Sequence, residues 1–391
     1  MAYEKMNATQ LEQVLELLTE HGFGGMAEAM EILMNAAMVL ERQNHLGLEY
    51  SHQRSPQRQG QANGFKPKTV KTRVGELALQ IPQVRDSRFY PQALERGLRS
   101  ETALNLALAE MYVQGVSTRK VAAITESLCG FDVSSSQVSE ASKKMDEHLS
   151  TWRHRPLGAY PYLLLDARYE KIRYGGQVLS CAVLIAVGID LMGKRSVLGV
   201  SVKLSEQEVH WRDFLKSLVE RGLHGIKLIT SDAHEGLKAA LRAVFPGVPW
   251  QRCQFHLQQN AQKYVPKQSM KTAVASSIRA IFNAADRTEA DRQLNLAIEK
   301  YKASAPALSE WMETSIPEGL SIFAFPEKIR KRLRTSNMLE RLNKEIKRRT
   351  RVATLFPNEG SCLRLVSAIL VEVSEEWETG DVYLKPENLV I

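Results

Sequence analysis

The sequence predicts a mixed α/β protein, and three observations carry that expectation. Between Tyr160 and Lys203 lie three strand-like runs, Tyr162–Arg168, Gln177–Ile189 and Arg195–Lys203, each apolar or alternating and rich in β-branched residues. The pattern then alternates: a helix over Glu206–Arg221, with Val209, Phe214, Leu215 and Leu218 inward, a strand over Ile226–Ser231 and a helix over Glu235–Val244. On both sides of this block, apolar residues recur at helical spacing.

Residues 8–45 read as helical, with Leu11, Val14, Leu15 and Leu18, then Met26, Met30, Leu33 and Met34, in phase. From Ser51 to Gly75 the character changes. Arg54, Arg58, Lys66, Lys68, Lys71 and Arg73 occur there with no acidic residue, among frequent Gln, Gly, Ser and Pro. This is the composition of a flexible basic arm suited to phosphate contact, and equally of a plain solvated linker. Residues 74–85 alternate and predict one short strand or hairpin. Residues 101–150 give three helical segments. The first ends near Gly115. The second starts at Ser117, an N-cap, with Val121, Ile124 and Leu128 on one face. The third starts in Ser134-Ser135-Ser136, with Val138, Ala141, Met145 and Leu149 at helical spacing. Such a unit is helix-turn-helix-like and would offer Ser135, Gln137, Lys143 and Lys144 to DNA; a three-helix bundle without a nucleic-acid role is the competing reading.

The turns Gly175-Gly176 and Met192-Gly193 join the three strand runs into an antiparallel meander. Strand-strand-strand-helix-strand-helix is the order of the ribonuclease H fold, in which the first and fourth strands lie side by side. Asp166 ends the first run and Asp232 ends the fourth, so the two become neighbours. About a hundred residues separate Asp232 from Glu340. Residues 257–333 between them read as mostly helical, with Ile278, Ile281 and Phe282, then Leu294, Ala297, Ile298 and Tyr301. The expected architecture is therefore a ribonuclease H-like core with an all-helical insertion, plus a mainly helical N-terminal DNA-binding region. Its segments are an N-terminal helical region (1–50), a basic linker with a short strand or hairpin (51–95), a helix-turn-helix-like domain (96–155), the first part of the core (156–256), the helical insertion (257–333), and the last core helices with the tail (334–391).

The net charge is +8, which favours an acidic partner, although its placement says more than its total. The four cysteines, Cys129, Cys181, Cys253 and Cys362, are widely spaced and suggest reduced thiols of a cytoplasmic protein. The N-terminus shows no apolar signal core, and no run of about 18 apolar residues predicts a membrane span.

Carboxylates at two strand ends and on a nearby helix suit hard divalent cations. Two Mg²⁺ or Mn²⁺ ions about 4 Å apart could serve an in-line displacement at phosphorus, with Asp166 bridging both and Asp232 and Glu340 each holding one. Other acids compete. Glu170 lies on the same strand face but past the expected strand end, and Asp190 sits in a turn where Asp is common. Asp232 itself could cap the following helix. For Glu340 a helical wheel over Asn337–Arg351 puts Leu339, Leu342 and Ile346 inward. Glu340 falls on the opposite stripe with Asn337, Lys344, Lys347 and Arg351, while Glu345 lies about 140° away. A surface Glu340–Lys344 pair competes, but the span Lys328–Arg351, which also holds Arg348, has eleven Lys or Arg against two acids. That is a phosphate-binding ridge. Cys253-Gln254-Phe255-His256 has half-site spacing for a metal, yet no second pair completes a zinc site. Cys253 and His256 are read instead as structural or accessory to the acids.

These residues also carry a resemblance. Asp232 with Gly236-Leu237, Val244-Phe245-Pro246 and Gln251-Arg252-Cys253-Gln254-Phe255-His256 resembles the signature of Mutator-type bacterial insertion-sequence transposases. Glu340-Arg341-Leu342-Asn343-Lys344-Glu345-Ile346-Lys347-Arg348-Arg349, followed by Val352 and Phe356-Pro357, is similar to a second block of that family. Leu165-Asp166-Ala167 with Tyr169, and Met111–Val121, are similar too. The resemblance covers nearly the whole chain. It implies that Asp166, Asp232 and Glu340 stand where the family's Asp-Asp-Glu triad stands. It further implies Mg²⁺-dependent cleavage of transposon ends, joining of the 3′-OH to double-stranded DNA, and a homodimer or larger assembly on paired terminal inverted repeats. A structure-selective nuclease on the same fold and a non-catalytic DNA-binding regulator are the alternatives.

Overall fold

The computed structural model describes residues 2–47, 60–85, 89–94, 99–351 and 353–388. The chain is mixed α/β with two sheets. It divides into two compact units, Met1–Lys144 and Met145–Ile391.

In the first unit, α1 (Ala2–His21) and α2 (Met26–His45) flank a 3₁₀ turn at Gly22–Gly25. A hairpin follows, β1 (Gln61–Thr72) and β2 (Gly75–Arg85). The basic stretch expected as a flexible arm is thus a strand from Gln61 onward, and its pairing with β2 overrides its Gly- and Lys-rich composition. The apolar face of α2 and the hairpin share a core of Met38, Val70, Leu77, Leu79, Ile81 and Leu94. The helix also covers the open edge of β2: Glu31 and Asn35 accept hydrogen bonds from the backbone N–H of Ala78 and Gln80, at 2.9 and 2.7 Å. By length and composition the helical stretch Thr9–His45 could cross a membrane, but this sign is weak, because a helix that packs in a core passes the same test.

Three helices complete this unit: α3 (Thr102–Val113), α4 (Thr118–Cys129) and α5 (Ser135–Lys143). The caps are as the sequence suggests. Ser117 accepts from the Lys120 N–H, and Ser134 forms a reciprocal capping box with Gln137. The buried face of α4 is different. Val121 and Thr125 are inside, whereas Ile124 and Leu128 face outward, because the core offered by α3 and α5 (Leu104, Leu108, Phe131, Val133, Val138, Ala141) meets only one stripe. The third expected helix also breaks. It ends at Lys143, and Leu149 belongs to a new helix, α6 (Asp146–Arg153), in the second unit.

The second unit is built on a five-stranded sheet of β3 (Tyr162–Tyr174), β4 (Gln177–Ile189), β5 (Arg195–Lys203), β6 (Leu228–Ser231) and β7 (Trp250–Arg252). The spatial order is β5-β4-β3-β6-β7; the first three strands are antiparallel, and β6 and β7 run parallel to β3. Gly175 and Gly176 both have positive φ, 55° and 82°, which the two-residue β3–β4 turn requires. Helices α7 (Glu208–Glu220) and α8 (Glu235–Val244) cover one face through Trp211, Phe214, Leu215, Leu218, Leu237 and Leu241. These pack on Leu163, Leu165, Leu184, Leu198 and Ile229. Strand alternation turns the even-numbered residues of β3 to the other face.

After β7 the chain is mainly helical: α9 (Gln254–Ala261), α10 (Lys271–Phe282), α11 (Arg287–Lys302), α12 (Pro306–Ser315) and α13 (Glu327–Leu333). Then come α14 (Asn337–Thr350) and α15 (Glu359–Thr379). Thr230 donates to the Leu333 carbonyl at 2.8 Å, which places the end of α13 on the face away from α7 and α8, and Ser374 accepts from the Val197 N–H at 3.0 Å, which sets α15 against the edge strand β5.

Candidate active site

The parallel pairing of β3 with β6 sets the site. Tyr162 pairs with Leu228, Leu163 with Ile229 and Leu164 with Thr230. The same offset carried two residues on puts Asp232 at the level of Asp166, both on the face covered by α14. Each carboxylate turns back on its own chain: Asp166 Oδ1 accepts from the Ala167 N–H at 2.9 Å, and Asp232 Oδ1 from the Ala233 N–H at 2.7 Å.

Helix α14 is stitched to β3 by the even-numbered side chains. Asn343 Nδ2 donates to Asp166 Oδ2 at 2.7 Å. Arg168 donates to the Asn343 carbonyl at 2.6 Å and pairs with Glu170 at 2.6 Å; Thr350 donates to Glu170 at 3.0 Å. The strand runs beyond Arg168, so Glu170 lies inside it, tied to Arg168 and Thr350. Sequence reasoning did not single out Asn343 or Arg168. The signal available was the spacing of 166, 168 and 170 on one strand face, which needed the α14 contact to acquire meaning.

Glu340 comes from the first turn of α14. It is not on the outward ridge as the wheel suggested. Its side chain is 25% exposed and faces His256, whose Nε2 lies 3.6 Å from Glu340 Oε1. The other ring nitrogen, Nδ1, lies 3.9 Å from Asp232 Oδ1, so the imidazole stands between the two acids. Glu345, by contrast, pairs with the exposed Arg348 and the buried Arg349. Asp190 accepts from the N–H groups of Met192 and Lys194 in its own turn.

The Cys253-x-x-His256 turn holds α9 to the start of α14. The Ser336 N–H donates to Cys253 Sγ at 3.2 Å, and the Gln254 N–H to the Arg334 carbonyl at 3.0 Å. Both contacts fix the approach of Glu340, four residues further on. Burial pushes the Cys253 thiol up, but His256 and the Ser336 N–H outweigh it and hold the thiol below its ordinary value. The Cys253 sulfur, with Asp232 and Glu340, pushes His256 up to about 9 against the opposing effect of burial. The imidazolium thus balances charge between two acids that would otherwise face each other. Burial pushes Asp166 up to about 6, and nearby Asp232 adds to it.

Five polar atoms in this site are buried with no hydrogen-bond partner: Glu340 Oε1, Asn343 Oδ1, His256 Nδ1, Ser336 Oγ and Arg168 Nε. The first two are hard oxygen acceptors beside Asp166 and Asp232. Orphaned oxygens of this kind fit a hard divalent cation. Among the described residues, no three His, Cys, Asp or Glu side chains converge closely enough to form a ready-made metal cluster.

The residues expected to meet DNA are scattered. Arg54 and Arg58 lie outside the described residues. Lys66 is exposed on β1, and Arg73 pairs with Glu101 at 3.2 Å. Lys68 donates to Tyr90 Oη, and Lys71 donates to the Asp132 carbonyl and lies over the Phe131 ring. Gln137 is held by its capping box, and Lys143 pairs with Glu140 at 3.0 Å, while Lys144 is exposed. Lys344, Lys347, Arg348 and Arg351 are all exposed along α14, so this ridge is a continuous basic surface.

The fold and site define a mixed α/β protein with one carboxylate inside β3, where the sequence predicts a strand end, and a second just past the end of the adjacent parallel strand β6, beneath a basic helix. A family model described as "Transposase, Mutator family" matches residues 2–380, and the chain belongs to that family. It is 56% identical over 97% of its length to the transposase for insertion sequence element IS406 of Burkholderia multivorans, covering 98% of that protein. It is 43% identical to the ISRM5 transposase of Rhizobium meliloti, over 93% of this chain and 92% of the relative. To the transposase of IS256 in transposon Tn4001 of Staphylococcus aureus it is 36% identical, over 88% and 89% of the two chains.

Proposed function

We propose that the chain is a cytoplasmic DNA transposase that binds terminal inverted repeats, cleaves the ends of its element and joins the 3′-OH to target DNA. The single observation that carries this reading is the placement of Asp232 beside Asp166 by the β3–β6 register, with His256 standing between Asp232 and Glu340 under the α14 ridge. The strand order, with the first strand flanked by the second and fourth, supports a ribonuclease H-like core. The helices α9–α13 between β7 and α14 then form an insertion that delivers Glu340.

Asp166, Asp232 and Glu340 would hold two Mg²⁺ or Mn²⁺ ions. When bound, such ions polarise the scissile phosphate and lower the pKa of the attacking hydroxyl. The chain's own residues do the rest. Asn343 fixes the rotamer of Asp166, Arg168 fixes Asn343 through its carbonyl, and the Ser336–Cys253 contact fixes the entry of α14. Lys344, Lys347 and Arg351 neutralise the backbone of the bound strand. Paired ends call for a homodimer or larger assembly.

Incubation of the protein with labelled terminal-repeat DNA, a target plasmid and Mg²⁺ tests the reading. Joined product supports transposition. Hydrolysis without joining points to a nuclease, and tight binding without any metal-dependent product to a regulator. Asn343→Ala is expected to raise the Mg²⁺ concentration for half-maximal activity by roughly 10- to 100-fold, as loss of an outer-shell partner does. An unchanged Mg²⁺ dependence would deny Asn343 its positioning role.

A further inference from the structure

We infer that a cleft beside the acids receives one unpaired nucleotide of the DNA strand, its base stacked on Phe255; the inference rests on the transposase reading above. The cleft lies between α9 and α10, has a volume of about 430 Å³, and is lined by Phe255, Gln258, Gln259, Gln262, Lys271 and Arg279, among others. That volume is within the usual ~300–1,000 Å³ of small-molecule sites.

Its position follows from helix geometry. Phe255, Gln258, Gln259 and Gln262 are spaced i, i+3, i+4 and i+7, one stripe along α9 and the turn after it. The next residue in the chain, His256, points between Asp232 and Glu340. One helix therefore presents one side chain to the acids and the adjoining stripe to the cleft. The Phe255 and His256 rings are 5.6 Å apart, so the aromatic wall of the cleft adjoins the histidine that stands between two of the acids.

Its chemistry is that of a nucleotide subsite. Phe255 is 38% exposed, an apolar ring left uncovered in a helix whose other apolar side chains, Leu257 and Ala261, are fully buried. Among the described residues, the amides of Gln258, Gln259 and Gln262 and the ammonium of Lys271 make no hydrogen bond or ion pair within the chain. Free amides read the donor and acceptor edges of a base, and an uncovered ring stacks on its face. The lining charges are Lys271 and Arg279, with no carboxylate, which suits the phosphate of the same nucleotide. A base stacked inside a duplex has no free face to offer the Phe255 ring, so the nucleotide must be extruded or already single-stranded.

The test uses the full chain in chelator, with fluorescein-labelled deca-thymidylate and a blunt duplex as probes. Phe255→Ala is expected to weaken deca-thymidylate binding roughly 5- to 100-fold, the range of one base–aromatic stack, while duplex binding stays within about twofold. Phe255→Trp is expected to restore it. Independently of any variant, a decamer carrying 5-iododeoxyuridine should photocrosslink to the α9 peptide of the wild-type protein. Equal loss of both DNAs, no loss of either, or a crosslink mapping away from α9 overturns the inference. Strand transfer by the wild type is scored separately. A chain that stacks the base but joins nothing fails the transposase reading and leaves this one standing.

Discussion

Asp166→Asn is expected to reduce strand transfer by at least about 10³-fold, the upper end for loss of one preorganised electrostatic group, without loss of the fold. The second half of this expectation is the more discriminating. Burial holds Asp166 up to about 6. A raised carboxylate pKa means that the contribution of the group to stability is complete below its ordinary value of about 4 and disappears as pH rises through about 6. At pH 8 in chelator, the wild type therefore carries an ionised, half-buried carboxylate that costs about 1–2 kcal/mol. Asparagine keeps one oxygen for the Ala167 N–H, its NH₂ can donate to the partnerless Asn343 Oδ1 once that amide flips, and the cost of the charge is removed. The variant should melt at the wild-type temperature or higher. Mg²⁺ should raise the melting temperature of the wild type and leave the variant unmoved. Asp232→Asn and Glu340→Gln should also lose strand transfer. Full activity in any of the three removes that residue from the site, and an Asp166→Asn protein that melts well below wild type in chelator assigns Asp166 a structural role instead.

Trp211→Ala should produce the largest loss of stability, about 3–5 kcal/mol. Trp211 is fully buried at the centre of the face formed by α7 and α8, in contact with the Leu163, Leu184 and Leu198 layer of the sheet. Its truncation leaves a cavity that the rigid sheet cannot collapse to fill. Its indole N–H is buried without a partner. Trp211→Phe removes that unsatisfied donor and fills most of the volume, so its cost should be smaller, about 1–2 kcal/mol. Chemical denaturation of the three proteins checks the order. A Phe variant as unstable as the Ala variant would show that the N–H finds a partner, such as water, in solution.

Several elements were legible residue by residue. Gln177–Ile189, Arg195–Lys203 and Glu235–Val244 are strands and a helix with the expected ends, because their apolar periodicity and glycine turns act locally. Ser117 and Ser134 cap as expected for the same reason. The neighbourhood of Asp166 and Asp232 was also legible, since strand order and alternation fix which residues share a level and a face. Other features were not. The strand at Gln61–Thr72 has unfavourable composition and exists through its pairing with β2 and the cover of α2. The outward turn of Ile124 and Leu128 on α4 depends on where Phe131 and Val138 supply a core.

Glu340 shows the division most clearly. The sequence by itself determined that it lies on a basic helix, on a different stripe from Glu345. A helical wheel states which side chains lie together, but not which neighbour covers them. Only the tertiary structure turned Glu340 inward, because α9 brings His256 against the first turn of α14, and Asn343 one turn later reaches Asp166. Local periodicity is written in a few adjacent residues. The site is assembled from contacts between residues up to 180 positions apart in the sequence, and their free energy depends on packing that no single segment contains.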